Sequence, residues 1–148
     1  MKPVRNILFA TDFSSASRPA FRRALEMAST DGATLWIVHV AAPPGPLSPD
    51  GYVLPRIYEE MDLAIRNDAQ KRLRTLLGRA RKLGVRARAL LLKGAPHEAI
   101  TRAARKHRAD LVVVGTHGRT GVARFFVGSV AARVVATAPC PVLTVRGR

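Results

Sequence analysis

The sequence predicts an α/β protein: an open five-stranded parallel sheet wound by four helices on both faces. Three observations carry this. Short runs of β-forming residues alternate with stretches of helical periodicity along the whole chain. Two of those runs, TLWIVHV at 34–40 and LVVV at 111–114, are nearly continuous in apolar residues, as strands covered on both faces are. A glycine-rich connection then joins the fourth strand to the last helix.

Taken in order, Val4 to Thr11 reads as the first strand, and Asp12, Ser14 and Ser15 are the polar residues that open a helix. Ala20, Ala24, Leu25 and Ala28 recur at helical spacing until Asp31 and Gly32 stop the pattern, and Thr34 to Val40 forms the second strand. The segment from Ala41 to Pro55 holds five prolines, which excludes a regular helix or a central strand and predicts a long mobile connection able to act as a lid. From Ile57, the residues Met61, Ile65, Ala69, Leu73, Leu76, Ala80 and Leu83 describe a long amphipathic helix that Gly84 terminates. Val85 to Leu92 is the third strand. Gly94 and Pro96 start the next helix, packed through Ala99, Ile100, Ala103 and Ala104. Leu111 to Val114 is the fourth strand. Ser129 is the expected N-cap of a short helix running to about Ala138, and Pro139 and Pro141 force an extended start to the last strand, Val142 to Val145.

At 148 residues and 47% hydrophobic, the chain is expected to be one domain, 1–148, with a sizeable core. No apolar run reaches the roughly 18 residues of a membrane span, and the start MKPVRNILFATDF has no apolar leader, so neither membrane insertion nor secretion is expected. Cys140 is the single cysteine and reads as a small packed side chain, which suits a cytoplasmic protein. The net charge of +15 raises the question of polyanion partners. Between Arg66 and Arg108 lie 14 Lys or Arg against Asp68 and Glu98, but they are spread over two helices and a strand and read as solvated faces. With aromatics at 5%, the basic and stacking interleave of a single-strand binding groove is missing, and nucleic acid is not expected as a partner.

In open parallel sheets, ligands sit beyond the carboxyl ends of the strands where strand order reverses. That rule singles out the ends of the first and fourth strands: Thr11 and Asp12, and Val114 and Gly115. The connection after Val114 reads Gly115-Thr116-His117-Gly118, nine further residues, then Gly128-Ser129-Val130 at a helix start. Glycines admit close approach of a phosphate and left-handed backbone, and helix N-terminal amides favour an anion. Asp12 has two readings, a helix-initiating turn residue or a ligand group, and Ser129 serves either as cap or as phosphate contact. His117 has no cluster of metal-ligating residues around it, so a backbone or solvent contact is expected. Arg119 and Arg124 are phosphate contacts or exposed loop charges. His39, His97 and His107 have no evident partner in sequence. No P-loop, nucleophile elbow, HExxH or CxxC motif is present, so no catalytic residue is assigned.

Gly, two residues, Gly, nine residues, Gly, Ser is the pattern by which this chain resembles the nucleotide-binding type of the universal stress protein family. The resemblance continues through ILFATDFS, IVHV, LLKGAPHEAI, ADLVVVGTHGRTG and CPVLTVR, essentially the whole chain. Ala10 departs from the proline of several nucleotide-binding relatives. The resemblance implies a Rossmann-like, adenine nucleotide alpha-hydrolase-like fold that binds ATP with Mg2+ or Mn2+. It places Asp12 near the ribose or phosphates, Val40 against the adenine, Gly115 and Gly118 at the ribose and phosphates, and Gly128 and Ser129 on the phosphates. It also implies a homodimer through Val142 to Val145. The expected function is a stress-response nucleotide sensor read by a protein partner that the sequence does not identify. The alternatives are a slow ATPase or self-phosphorylating enzyme, and a nucleotide-free interaction dimer or basic nucleic-acid-associated factor.

Overall fold

The computed structural model describes residues 2–45, 50, 53–117 and 127–147. Their elements run β1 (Asn6–Ala10), a 3-10 turn (Ser15–Ser17), α1 (Arg18–Asp31), β2 (Thr34–Ala41), α2 (Pro55–Lys82), β3 (Ala87–Lys93), α3 (Pro96–Lys106), β4 (Leu111–Gly115), α4 (Ser129–Thr137) and β5 (Val142–Val145). All strand pairs are parallel, in the order β3-β2-β1-β4-β5. The chain winds outward from β1 to β3, then returns to lay β4 beside β1. Strand order therefore reverses between β1 and β4, as the sequence predicted.

Alternation along β1 sends Ile7 and Phe9 to one face and Leu8 to the other. Ile7 and Phe9 join Phe21 of α1 and Leu73 of α2 in one buried cluster. Leu8 joins Val38, Val112, Ile100 of α3 and Val134 of α4 in a second. A central strand with no wet face accounts for the continuous apolar runs of β2 and β4. At the amino ends of the strands, the backbone N–H groups of Arg5 and Asn6 donate to the Asp110 carboxylate at 2.9 and 3.0 Å, tying the entry of β4 to that of β1. Those donors, the Arg5 amide foremost, hold the Asp110 carboxyl below its ordinary pKa against the opposing effect of burial.

Several element boundaries differ from the sequence reading, each for a local reason. Asp12, Ser14 and Ser15 do not open α1. Asp12 Oδ1 accepts the Ser14 N–H at 2.9 Å and Thr11 Oγ1 accepts the Phe13 N–H at 3.0 Å, which folds the chain into successive turns, with Phe13 at φ 63°. The helix begins only at Arg18, with a proline in its first turn. α2 starts at Pro55, two residues before the apolar periodicity shows, because proline suits a first helical position. Gly84, at φ 76°, follows its end. At α4 the N-cap is Gly128, not Ser129; Ser129 is the first helical residue, and no side chain caps this terminus. Much of the segment expected as a lid, including residues 46–49, lies outside the described residues. Among the described residues, no helix is long and apolar enough to cross a membrane.

Candidate functional site

A cleft of about 340 Å³ opens at the carboxyl ends of β1, β2 and β4. Thr11, Asp12, Val40, Val114, Gly115, His117, Gly128, Ser129 and Val130 all line it. These are nine of the predicted residues; the tenth, Gly118, lies outside the described residues, as do Arg119 and Arg124. The volume falls within the roughly 300–1,000 Å³ of small-molecule sites.

The floor is held by a chain of hydroxyls. The Ser17 hydroxyl donates to the Ser14 carbonyl at 2.9 Å, so its 3.0 Å contact with Thr11 Oγ1 is one in which Thr11 donates. Thr11 is thereby fixed as acceptor from Phe13 and donor to Ser17. Its backbone N–H continues the ladder to the Val38 carbonyl at 2.9 Å. β1 thus delivers Asp12 to the rim in one orientation.

His39, Pro96 and Ile100 are among the lining residues that escaped the sequence reading. His39, read as a residue without a partner, is buried, and its Nδ1 lies 2.7 Å from the Thr11 carbonyl. A carbonyl only accepts, so Nδ1 carries the proton. The imidazole also packs on the Phe13 ring, centroids 4.2 Å apart. Pro96 and Ile100, from the first turns of α3, add an apolar wall opposite Val114. A parallel crossover that returns α3 over the sheet brings this wall in, and spacing along the chain does not show it. His97 and His107 do have neighbours, Glu98 at 3.9 Å and the Trp36 ring at 4.0 Å, but neither lines the cleft.

The far wall is formed by the two described ends of the glycine-rich connection. Thr116, buried at the end of β4, donates its N–H to the Val145 carbonyl at 2.9 Å and accepts the Gly128 N–H on its own carbonyl. Its hydroxyl meets His117 Nδ1 at 2.8 Å. The two ends of the connection are therefore clasped at Thr116, and the start of α4 is set against β4. Neither Gly115 nor Gly128 has a positive φ; Gly128 stands at φ −52°. Neither position therefore requires a left-handed backbone. A Cβ at Gly115 would come within 3.4 Å of the Ala16 carbonyl.

Amides in the first turn of a helix have no intrahelical acceptor, and the N-cap residue of α4, Gly128, has no side chain to supply one. This terminus, with the positive end of the helix dipole, borders a cleft whose one lining carboxylate among the described residues is Asp12. An anion seated on α4 with an apolar body against Val40, Val114, Pro96 and Ile100 suits both halves of this chemistry. Among the described residues no group of three His, Cys, Asp or Glu side chains is arranged to hold a metal ion.

The family model of the universal stress protein family matches residues 3–146. This chain belongs to that family. A universal stress protein of Thermus aquaticus, encoded in the 3′ region of a QAH/OAS sulfhydrylase gene, is 39% identical over 143 residues, which cover 96% of this chain and 98% of that protein. Among solved structures, the universal stress protein UspA from Lactobacillus plantarum superposes with a TM-score of 0.86 at 27% identity, covering 99% of this chain and 100% of that one. The Archaeoglobus fulgidus universal stress protein in complex with dAMP gives a TM-score of 0.68 at 26% identity, covering 98% and 100%. The fold described above is the α/β fold of these universal stress proteins.

Proposed function

We propose that the cleft binds an adenine nucleotide, with ATP as the ligand the chain is built for, and that the protein is a nucleotide-dependent regulator rather than an enzyme. The observation that carries this is the uncapped N-terminus of α4 facing an apolar cleft at the strand-order reversal. The dAMP held by a solved relative supports the adenine.

In this reading Val40, Val114, Pro96 and Ile100 bury the base, and Thr11 and Asp12 meet the ribose or the inner phosphates. Gly115 keeps the wall low beside the sugar, and His117 takes a polar contact at the mouth. The amides after Gly128, those of Ser129 and Val130, take the phosphates together with the Ser129 hydroxyl. Gly118, and the Pro-rich segment read as a lid, belong to the same proposal though they lie outside the described structure in whole or part. Mg2+ or Mn2+ would arrive on the phosphates, since Asp12 alone cannot form a protein cage; the ion would neutralise phosphate charge. Output is a changed surface for a protein partner. The chain acts as one domain in the cytoplasm, paired with a second copy through the outer edge of β5.

Purified protein, denatured and analysed for released small molecules, tests this. Adenine nucleotide is expected from the wild type and none from Gly128→Val, whose branched side chain stands where the phosphate approaches. Protein that neither carries nor takes up adenine nucleotide, with magnesium at millimolar levels, contradicts the proposal.

A further inference from the structure

Behind the wall of Thr11 and Ser17, on the other face of the sheet, lies a second cleft of about 320 Å³ between α1 and α2. Thr11 and Ser17 line both clefts, so the two are back to back. The floor of the second is aromatic. Phe9 and Phe21 are buried with ring centroids 5.4 Å apart, and Phe13 closes one end.

Its rim is cationic. Arg18 and Arg22 stand one turn apart on α1, and Arg72 and Arg79 two turns apart on α2, so four arginines line one opening. Among the described residues no carboxylate lines it. Arg72 pairs with Asp68 outside the cleft at 2.9 Å and lies 5.7 Å from the centroid of the Phe13 ring. Arg18, Arg22 and Arg79 make no ion pair among the described residues. Ser14, in the same wall, has a buried hydroxyl without a hydrogen-bond partner among them. Four cations around one opening raise the local positive potential, and an anion seated among them lowers it. Guanidinium groups on two helices suit the several oxygens of a phosphate or sulfonate, and an aromatic floor suits a flat apolar body.

We propose that this second cleft is a binding site for a small organic anion: a phosphate, sulfonate or carboxylate head carried on an aromatic or short apolar body. The head is held by Arg22 and Arg79 across the opening, with Arg18 and Arg72 beside them, and the body lies against Phe13 and Leu76, above the buried Phe9 and Phe21. This site is separate from the nucleotide cleft and requires no nucleotide.

1-Naphthyl phosphate is the probe, titrated by calorimetry into the full chain with saturating ATP and magnesium present. Binding is expected to persist with ATP, and to weaken about tenfold or more in Arg22→Gln/Arg79→Gln. Uncharged 1-naphthol and inorganic phosphate should each bind about tenfold or more weaker than the probe, because each lacks one half of the recognition. Both arginines are exposed, so the variant should keep the wild-type near-UV circular dichroism and melting temperature. Backbone amide shifts supply a second reading on the wild type alone: the probe should move Ser14, Phe21 and Thr75. Competition by ATP, loss of binding in Gly128→Val but not in the arginine variant, or shifts confined to Val40 and Ser129 would put the probe in the first cleft and overturn the proposal. Absence of binding would overturn it as well. The arginine arm decides whether or not ATP itself binds.

Discussion

At the scale of single residues, the site depends on side chains that carry no ligand. Asp110 accepts two backbone donors from the entry of β1, one exposed and one half-buried, and Asp110→Ala should cost about 1 kcal/mol, the net worth of such hydrogen bonds. Its folded pKa is lowered, so its contribution is present above the ordinary carboxylate value of about 3.9 and is lost as pH falls through the folded value. Denaturant melts of wild type and variant should therefore differ at neutral pH and converge in acid; an equal gap at both would assign the effect to packing. Gly147 is a second such residue. A Cβ there would stand 2.9 Å from the Ala16 backbone, so Gly147→Ala must shift either its own backbone or the turn that borders Gly115. About 1–3 kcal/mol of stability and a measurable part of nucleotide affinity should go with it, read by melting and by titration. Asp12, Gly115 and Ser129 were legible because a strand end and a helix start are marked in sequence. His39 was not: its partner is the Thr11 carbonyl, 28 positions away on a neighbouring strand, and backbone acceptors leave no signature in a sequence.

At the scale of elements, periodicity found every strand and α-helix among the described residues, while their starts depended on turn chemistry. The stretch after β1 shows why. Asp12 and Ser14 have the composition of a helix start, yet the Asp12 carboxylate accepts the Ser14 amide and the Thr11 hydroxyl accepts the Phe13 amide, and the chain turns twice before α1. At α4 the same ambiguity has a functional edge. A capping Ser replaced by Ala costs typically about 1 kcal/mol, but the N-cap here is Gly128 and Ser129 is the first helical residue. Ser129→Ala should thus leave the melting temperature within error of wild type while weakening nucleotide binding several-fold. A lowered melting temperature with unchanged affinity would restore Ser129 to a purely structural role.

At the scale of the whole molecule, the order β3-β2-β1-β4-β5 places the cleft, and right-handed crossovers between parallel strands left few other arrangements. It also leaves β5 as an edge. Its Pro141 and Val145 carbonyls face β4, so by strand alternation Val142 and Thr144 turn their backbone groups outward. An edge with open donors and acceptors pairs readily with a copy of itself. Thr144→Pro removes one outward donor without touching the β4 ladder, and should convert a dimer to a folded monomer in sedimentation equilibrium; a wild type that is monomeric at high concentration refutes the pairing. The central claim concerns the start of α4, and the most direct measurement is a backbone amide titration with ATP and magnesium. Saturable shifts of Ser129, Val130 and Ala131, accompanied by Val40 and lost in Gly128→Val, are the predicted result. Shifts that leave these amides still at millimolar ATP would contradict it.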